Sequence, residues 1–428
     1  MSRIRNFRLD NGAQVLIAPD ERAIDVGLAI ALRAGSADEL TKLYGATHLL
    51  EHLMGHNLGK HQMLTQTSQE IDRLTTGSNA STDRHVTIFH FETTAGNFSD
   101  LIELAYQMIV HPHIFRPMVD TAIGQVAEDI NRTDSEPDRL VADRIMSDFH
   151  LGEEVRHSIF GTVEGLGRIS IPALRQYHRQ IVCGQRMVIV VTGKIRVGTA
   201  ERIIRKQFGN LPAGQAVLPI SFRPSLRRRL TCLPNHDLPT VFYGVSFPLP
   251  FTPWDKHSLP YHYISKRLVG LDSSSLTLRV VKELGTSYSF AGDVWDFPDG
   301  SRFLITSTAE PKNLLQHIFL IFLELAELGN GSLKPGNLDM ITRHLRHEID
   351  KQALSPMDQA NEFAEQLVTN GRITTSSSFA RSASMINVEK VRRRVRTRLQ
   401  PTQSQVSMVG PVDRTLLQRV RRLISSQN

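Results

Sequence analysis

The stretch YGATHLLEHLMGHN, residues 44–57, decides how this chain is interpreted. It contains two histidines four positions apart, His48 and His52, and Glu51 directly precedes the second. Each residue of an α-helix turns by about 100°, so these three side chains share one helix face while apolar residues fill the opposite arc. Such a helix buries one side and presents two imidazoles and a carboxylate on the other. A catalytic zinc requires that arrangement.

The order of these residues is the reverse of the commoner His-Glu-x-x-His motif and is the inverzincin signature. The competing interpretation is a chance meeting on a polar helix face, since the chain has 17 histidines. Zinc in a hydrolytic site usually takes three protein ligands, so a third is expected elsewhere. Glu128 lies on a helix predicted over about residues 117–131. Taken alone, it is typical of a solvated helix glutamate.

The motif and its surroundings resemble the pitrilysin-type zinc peptidases, the family of insulin-degrading enzyme and the mitochondrial processing peptidase. In that family His-x-x-Glu-His is followed about 75 residues later by a glutamate that completes the zinc site. His48, Glu51, His52 and Glu128 match this pattern. The resemblance therefore implies that His48, His52 and Glu128 hold Zn²⁺ and that Glu51 is the catalytic base.

Two further segments extend the resemblance to substrate binding. The run NAST at 79–82 resembles the family's Asn-Ala-x-Thr strand, a sheet edge to which the substrate peptide adds, and this implies substrate contacts at Asn79 and Ala80. In the second domain the family supplies an arginine and a tyrosine that hold the substrate. Tyr288 matches the tyrosine, but Val281 stands at the arginine position. A core tyrosine is the alternative interpretation of Tyr288.

A further departure lies seven residues before Glu128, where many relatives carry a second glutamate that supports the metal. This chain has Thr121 there, with Asp120 beside it. Groups around metal ligands tune metal affinity by about 10–100-fold. We therefore expect zinc binding to be weaker or differently supported.

Composition bounds the class of protein. With 428 residues, of which 40% are hydrophobic and 22% charged, the chain is expected to form two globular domains. The sequence has no apolar run long enough to predict a membrane span. Its first residues lack the apolar core of a signal peptide, so we expect a cytoplasmic protein. Two cysteines argue against a disulfide scaffold. The net charge of +7 comes from basic clusters without interleaved aromatic residues, so no nucleic-acid partner is expected.

Two segments resemble each other and suggest a duplication. VIVVT at 188–192 and QVSMV at 405–409 are each followed by a glycine turn and an amphipathic helix. Residues 210–229 are rich in proline, which is typical of a linker. We predict a zinc-binding peptidase domain over 1–209 and a homologous domain over 230–428.

Within each half, strands mix with long amphipathic helices, which predicts an α+β fold with helices on a mainly antiparallel sheet. The resemblance implies two homologous domains that face one another as a clam-shell around a chamber. Such a chamber favours short or unfolded peptides.

The sequence thus predicts a zinc-dependent endopeptidase, the catalytic subunit of a dimer with a homologous partner subunit or a second copy. The alternative is a non-catalytic scaffold or processing-complex subunit of the same fold. Such proteins usually lose a ligand or the base, and all four positions survive here.

Overall fold

The computed structural model describes residues 4–56, 64–150, 152–216, 224, 229–249, 258–297, 300–352 and 354–425. The chain divides into two units, and each contains a sheet packed against helices. Unit 1 comprises Met1–Asn131, His157–Ile220 and Asp350–Ile373, and unit 2 comprises Arg132–Arg156, Ser221–Ile349 and Thr374–Asn428.

The described strands of unit 1 form a six-stranded sheet in the order β1-β2-β6-β3-β5-β4. All neighbours are antiparallel except β2 and β6. Strands β3 and β6 are buried along their whole length because their sequences, VGLAIAL and MVIVVTG, are apolar on both faces. Strand β4 is the terminal strand, and its polar sequence GSNAST suits an edge. The strands are β1 Arg5–Arg8, β2 Gln14–Pro19, β3 Val26–Leu32, β4 Gly77–Thr82, β5 Thr87–Thr93 and β6 Met187–Gly193.

Helices cover both faces of this sheet. On one face, the buried residues of α1, α3, α4, α8 and α9 join those of the strands in one apolar core. The helices of the first half of the chain are α1 Ala46–His56, α2 Leu64–Leu74, α3 Phe98–Val110, α4 Arg116–Asp134, α5 Pro137–Asp148, α6 Glu153–Arg156, α7 Val163–Gly167, α8 Ile171–Ile181 and α9 Val197–Phe208.

Unit 2 repeats this plan with a five-stranded sheet among its described residues, in the order β7-β11-β8-β10-β9. Its one parallel pairing joins β7 and β11. The strands are β7 Leu230–Pro234, β8 Val241–Leu249, β9 Phe290–Phe297, β10 Gly300–Ala309 and β11 Gln405–Gly410. The helices of the second half of the chain are α10 Leu259–Leu268, α11 Leu314–Asn330, α12 Pro335–Gln352, α13 Pro356–Asn370, α14 Ser376–Ala383, α15 Val388–Arg398 and α16 Arg414–Ser425, with a π-helix over Thr277–Glu283.

Each unit contains a helix from the other half of the chain. Helix α13, from the second half of the chain, lies on the sheet of unit 1, where Phe363 and Leu367 pack against Leu16 and Val190. Helix α5, from the first half, packs on the sheet of unit 2 through residues such as Ile145. The predicted domains, 1–209 and 230–428, were continuous, and the structure differs at these two segments. An amphipathic pattern shows that a helix is covered on one side but does not show which sheet covers it.

The architecture confirms the predicted α+β fold with two sheet-and-helix domains. The repeated strand, glycine turn and helix correspond to β6 with α9 and β11 with α16. Of the predicted linker, 210–229, only residues 210–216, 224 and 229 belong to the described part. None of the helices that the structure describes is both long and apolar enough to cross a lipid bilayer.

Candidate metal centre

Helix α1 has the two faces that its sequence predicts. Leu49, Leu50 and Leu53 are fully buried in the core of unit 1. On the other side, His48 and Glu51 are largely buried and His52 is half-buried. The apolar face anchors the helix on the sheet, so the polar face is held in place.

The residue that meets the two histidines is Asp129 of α4, one position after the predicted Glu128. The Nε2 atom of His52 lies 3.1 Å from Oδ2 of Asp129, and Nε2 of His48 lies 3.7 Å from the same oxygen. Glu128 is exposed. The structure therefore brings His48 and His52 together as predicted, but with Asp129 in the place expected for Glu128.

The phase of α4 explains this difference. Asp129 shares a helix face with the buried residues Ala122 and Val126, whereas Glu128 shares a face with the exposed residues Thr121 and Gly124. The Thr121 hydroxyl donates a hydrogen bond to the carbonyl of Pro117 within the same helix. The helical periodicity of the buried residues was the signal in the sequence that could have identified Asp129.

The three side chains fit a zinc ion by their donor set. One potential ligand atom from each of His48, His52 and Asp129 lies within 4.8 Å of the others, and in the described part of the chain this is the one such group. Two imidazole nitrogens and a carboxylate oxygen are typical ligands of catalytic zinc. The two rings meet edge to face, with centroids 4.7 Å apart. A zinc ion held by these three residues would keep a fourth position for a water molecule or a substrate.

Glu51 lies beside this group, with Oε2 at 4.0 Å from Nε2 of His48. The hydroxyl of Thr82, the last residue of β4, donates a hydrogen bond of 2.6 Å to the same carboxylate. Burial raises the pKa of Glu51 to about 7, and the negative charge of Asp129 adds to this, while the bond from Thr82 lowers it. A carboxyl group whose pKa is near neutrality can both accept and return a proton at physiological pH.

Strand β4 leads from the sheet edge to this carboxylate. Asn79 is exposed and Ala80 is half-buried, and both lie on the terminal strand of the sheet, as predicted. The amide of Ala80 donates a hydrogen bond of 2.9 Å to the side chain of its neighbour Asn79.

Tyr288 belongs to unit 2 and is 93% exposed, so it is not a core tyrosine. It follows the π-helix, a conformation frequent at functional sites. Val281 packs partly against the core of unit 2. Arg279, which is near the expected arginine position, forms ion pairs with Glu324 at 3.0 Å and Glu327 at 3.6 Å.

The profile of the insulinase family (peptidase family M16) matches residues 14–163, and that of the M16 inactive domain matches residues 168–345. The beta subunit of the mitochondrial-processing peptidase of Lentinula edodes is 20% identical over 409 residues, which are 90% of this chain and 85% of the relative. An uncharacterized zinc protease of Streptomyces coelicolor is 26% identical over 231 residues, but this match spans only 50% of the relative.

Solved structures show the same fold. A protease from Helicobacter pylori superposes with a TM-score of 0.86 at 19% identity, covering 96% of this chain and 99% of the other. A chain of complex III from Candida albicans superposes with a TM-score of 0.81 at 15% identity, covering 99% of this chain and 100% of the other. At these identities the likeness concerns the fold alone.

Proposed function

Because the chain belongs to the insulinase-like (M16, pitrilysin-type) peptidase family, we propose that it is a zinc-dependent endopeptidase that cleaves short or unfolded peptides. The observation that carries this proposal is the grouping of His48, His52 and Asp129 next to the carboxylate of Glu51. The two histidines and Asp129 would hold the metal, and Glu51 would be the catalytic base.

The chemistry follows from where these groups lie. When bound, zinc would supply a Lewis acid for the scissile carbonyl and make a water molecule easier to deprotonate. The carboxylate of Glu51 would accept a proton from a water molecule as the oxygen of that water adds to the carbonyl carbon. It returns the proton to the amine nitrogen when the carbon–nitrogen bond breaks. Thr82 holds the Glu51 carboxylate through its hydrogen bond.

Strand β4 supports the proposed class of substrate. A peptide that adds to a sheet edge gains main-chain hydrogen bonds with little demand on its sequence. Asn79 and Ala80 would supply such an edge, and Thr82, on the same strand, contacts Glu51. A short or unfolded peptide can adopt the extended conformation that this pairing requires, so short or unfolded peptides are the expected substrates. Tyr288, whose side chain is exposed, is the further proposed substrate-binding residue.

The test is digestion of a mixed peptide library by the purified chain, read by mass spectrometry, with Glu51→Gln as the inactive variant. Loss of a general base costs about 10²–10⁴-fold in rate. Glu128→Gln is the matched control because it changes an exposed carboxylate near the site. Zinc content is measured for all three proteins. Equal cleavage by zinc-loaded wild type and Glu51→Gln would refute the proposal.

A second chain is the proposed partner. Val281 stands where relatives carry a substrate-holding arginine. The nearby guanidinium of Arg279 already forms ion pairs with Glu324 and Glu327. Donors near the scissile carbonyl are typically worth about 3–4 kcal/mol in the transition state. Since similar proteins are named as subunits of a processing peptidase and of complex III, a homologous subunit or a second copy would supply the missing donor.

Light scattering and activity on mixing test this partnership. A zinc-loaded monomer that cleaves peptides at full rate by itself would contradict it. The scaffold alternative predicts a chain that binds no zinc, and the complete ligand group argues against that outcome.

A further inference from the structure

The carboxylate of Glu39 lies against the first turn of the metal helix α1. It accepts hydrogen bonds from the backbone amides of Gly45, at 2.7 Å, and Thr47, at 2.6 Å. The first amides of a helix have no partner within the helix, and a negative charge is favoured at this end by the helix dipole. Glu39 is only 5% exposed, so these bonds are shielded from water.

His157 holds this carboxylate from the other side. Its Nε2 atom lies 3.1 Å from Oε2 of Glu39 and donates, because an ionised carboxylate only accepts. The ring stacks on Tyr44, with centroids 3.7 Å apart and planes 8° from parallel. The buried side chain of Arg84 donates a bond of 2.7 Å to the His157 carbonyl. The imidazole is therefore held by its ring face, its nitrogen and its backbone.

The residues after His157 pack directly on the start of α1. A side chain at Gly161 would place its Cβ 2.4 Å from the carbonyl oxygen of Tyr44, and one at Gly45 would lie 2.4 Å from that of Phe160. Both glycines have positive φ angles, +65° and +88°. The Phe160 ring lies edge to face with the ligand His48, at 5.0 Å between centroids. The segment thus touches both the helix start and the first ligand.

We propose that Glu39 and residues 157–161 form a clamp that sets the position of the metal ligands on α1, with Glu39 and His157 as positioning residues. The inference rests on the proposed function, since it gives the clamp its purpose. Thr47, whose amide is bound by Glu39, directly precedes His48. A shift of the first turn therefore moves Nε2 of His48 relative to Asp129, which lies only 3.7 Å away.

The test uses Glu39→Gln, which keeps the shape and removes the charge. Its amide group donates, so it would meet an amide of α1 or the nitrogen of His157 donor to donor. Co²⁺ and Zn²⁺ affinities are measured by competition with a chromogenic chelator, and the visible spectrum of bound Co²⁺ reports ligand geometry. We expect metal binding to weaken by about 10–100-fold and the Co²⁺ spectrum to change.

Asp38→Asn is the matched control. Asp38 is the neighbouring largely buried carboxylate, and it bonds to Arg186 at 2.7 Å and to the amide of Gly35 at 3.1 Å, with no bond to α1. Its loss should lower the unfolding temperature of the metal-free protein, as Glu39→Gln does. Only Glu39→Gln should alter the affinity and the spectrum.

His157→Phe and His157→Gln separate the hydrogen bond from the stacking. Phenylalanine retains the stack on Tyr44 but cannot donate, and glutamine can donate to Glu39. We expect His157→Phe to weaken metal binding and His157→Gln to restore part of it. These two variants also serve as the test if Glu39→Gln does not fold.

The outcomes distinguish the two proposals. If wild type binds neither metal, the proposed function fails and the clamp with it. If wild type binds metal, and the Glu39 and His157 variants bind it equally tightly with an unchanged Co²⁺ spectrum, the clamp alone is overturned.

Discussion

The sheets of the two units share one strand order, yet within the described residues only unit 1 contains a group such as His48, His52 and Asp129. Strands β2-β6-β3-β5-β4 and β7-β11-β8-β10-β9 follow the same order, each with a single parallel pair. Helix α1 joins β3 to α2 and β4, and α10 occupies the corresponding place between β8 and β9. Where α1 reads HLLEH, α10 reads YHYISK, which offers one histidine and no carboxylate.

This comparison teaches that the fold does not carry the chemistry. A few side chains on one helix, and one carboxylate on another, distinguish the two units, while the strand order is preserved. Function lies in the site and not in the architecture.

The largest effect is expected at the proposed metal ligands of unit 1, which have no counterpart among the described residues of unit 2. Asp129→Asn removes the charge that lies within reach of both histidines. An uncharged amide is a poor zinc ligand, so zinc affinity should fall by at least about 100-fold, and peptide cleavage with it. Isothermal titration and library digestion measure both.

Glu128→Gln is the control that separates the two neighbouring carboxylates. Glu128 is exposed and should leave zinc affinity within about twofold of wild type, since surface changes away from such groups have small effects. The reverse result, with loss at Glu128 and none at Asp129, would show that the ligand is the residue predicted from the sequence.

The next effect concerns α13 and α5, the helices that each unit takes from the other half of the chain. A Cβ at Gly27 of β3 would lie 2.1 Å from the backbone oxygen of Pro356, at the start of α13. A Cβ at Gly244 of β8 would lie 2.6 Å from the end of the Ile145 side chain on α5. Backbone atoms move less easily than the end of a side chain. Gly27→Ala should therefore lower the free energy of unfolding by about 3 kcal/mol, and Gly244→Ala by about 1 kcal/mol.

Denaturant unfolding measures both free energies, with Gly124→Ala as the control. Gly124 is exposed on α4 and has no atom within 4 Å of a built Cβ, so alanine should stabilise by about 1 kcal/mol. A Gly27→Ala protein as stable as wild type would mean that α13 does not lie on the sheet of unit 1 as closely as described.

The last prediction concerns a buried histidine of unit 2. His317 of α11 is fully buried in unit 2, between the hydroxyls of Tyr243, at 3.3 Å, and Thr286, at 2.8 Å. Burial lowers its pKa from 6.5 to about 4. The unfolded chain therefore binds more protons than the folded one between these values, and stability falls as the pH drops from about 6.5 to 4.

His317→Gln should flatten this part of the stability profile, because glutamine does not titrate. Unfolding free energies at pH 7 and pH 4.5 are compared for both proteins, and the difference isolates His317 from other titrating groups. Identical slopes for the two proteins would contradict the assignment.

Much of the fold could be predicted because strands and amphipathic helices leave local patterns. The buried strands β3 and β6 and the two-sided helix α1 follow from apolar spacing. The placement of α5 and α13 did not follow, since each apolar face fits either sheet equally well by pattern. The family spacing predicted Glu128 as the third ligand, whereas the phase of α4 brings Asp129 next to the two histidines.

The sequence by itself determined the grouping of two histidines and a glutamate. His48, Glu51 and His52 lie within five residues, and one helical turn brings them to the same face whatever the rest of the chain does. The tertiary structure alone decided that Asp129 meets them, that Thr82 contacts Glu51 and Glu39 the start of α1, and that each unit takes a helix from the other half of the chain. These contacts join distant segments, and their geometry depends on how whole helices and sheets pack together.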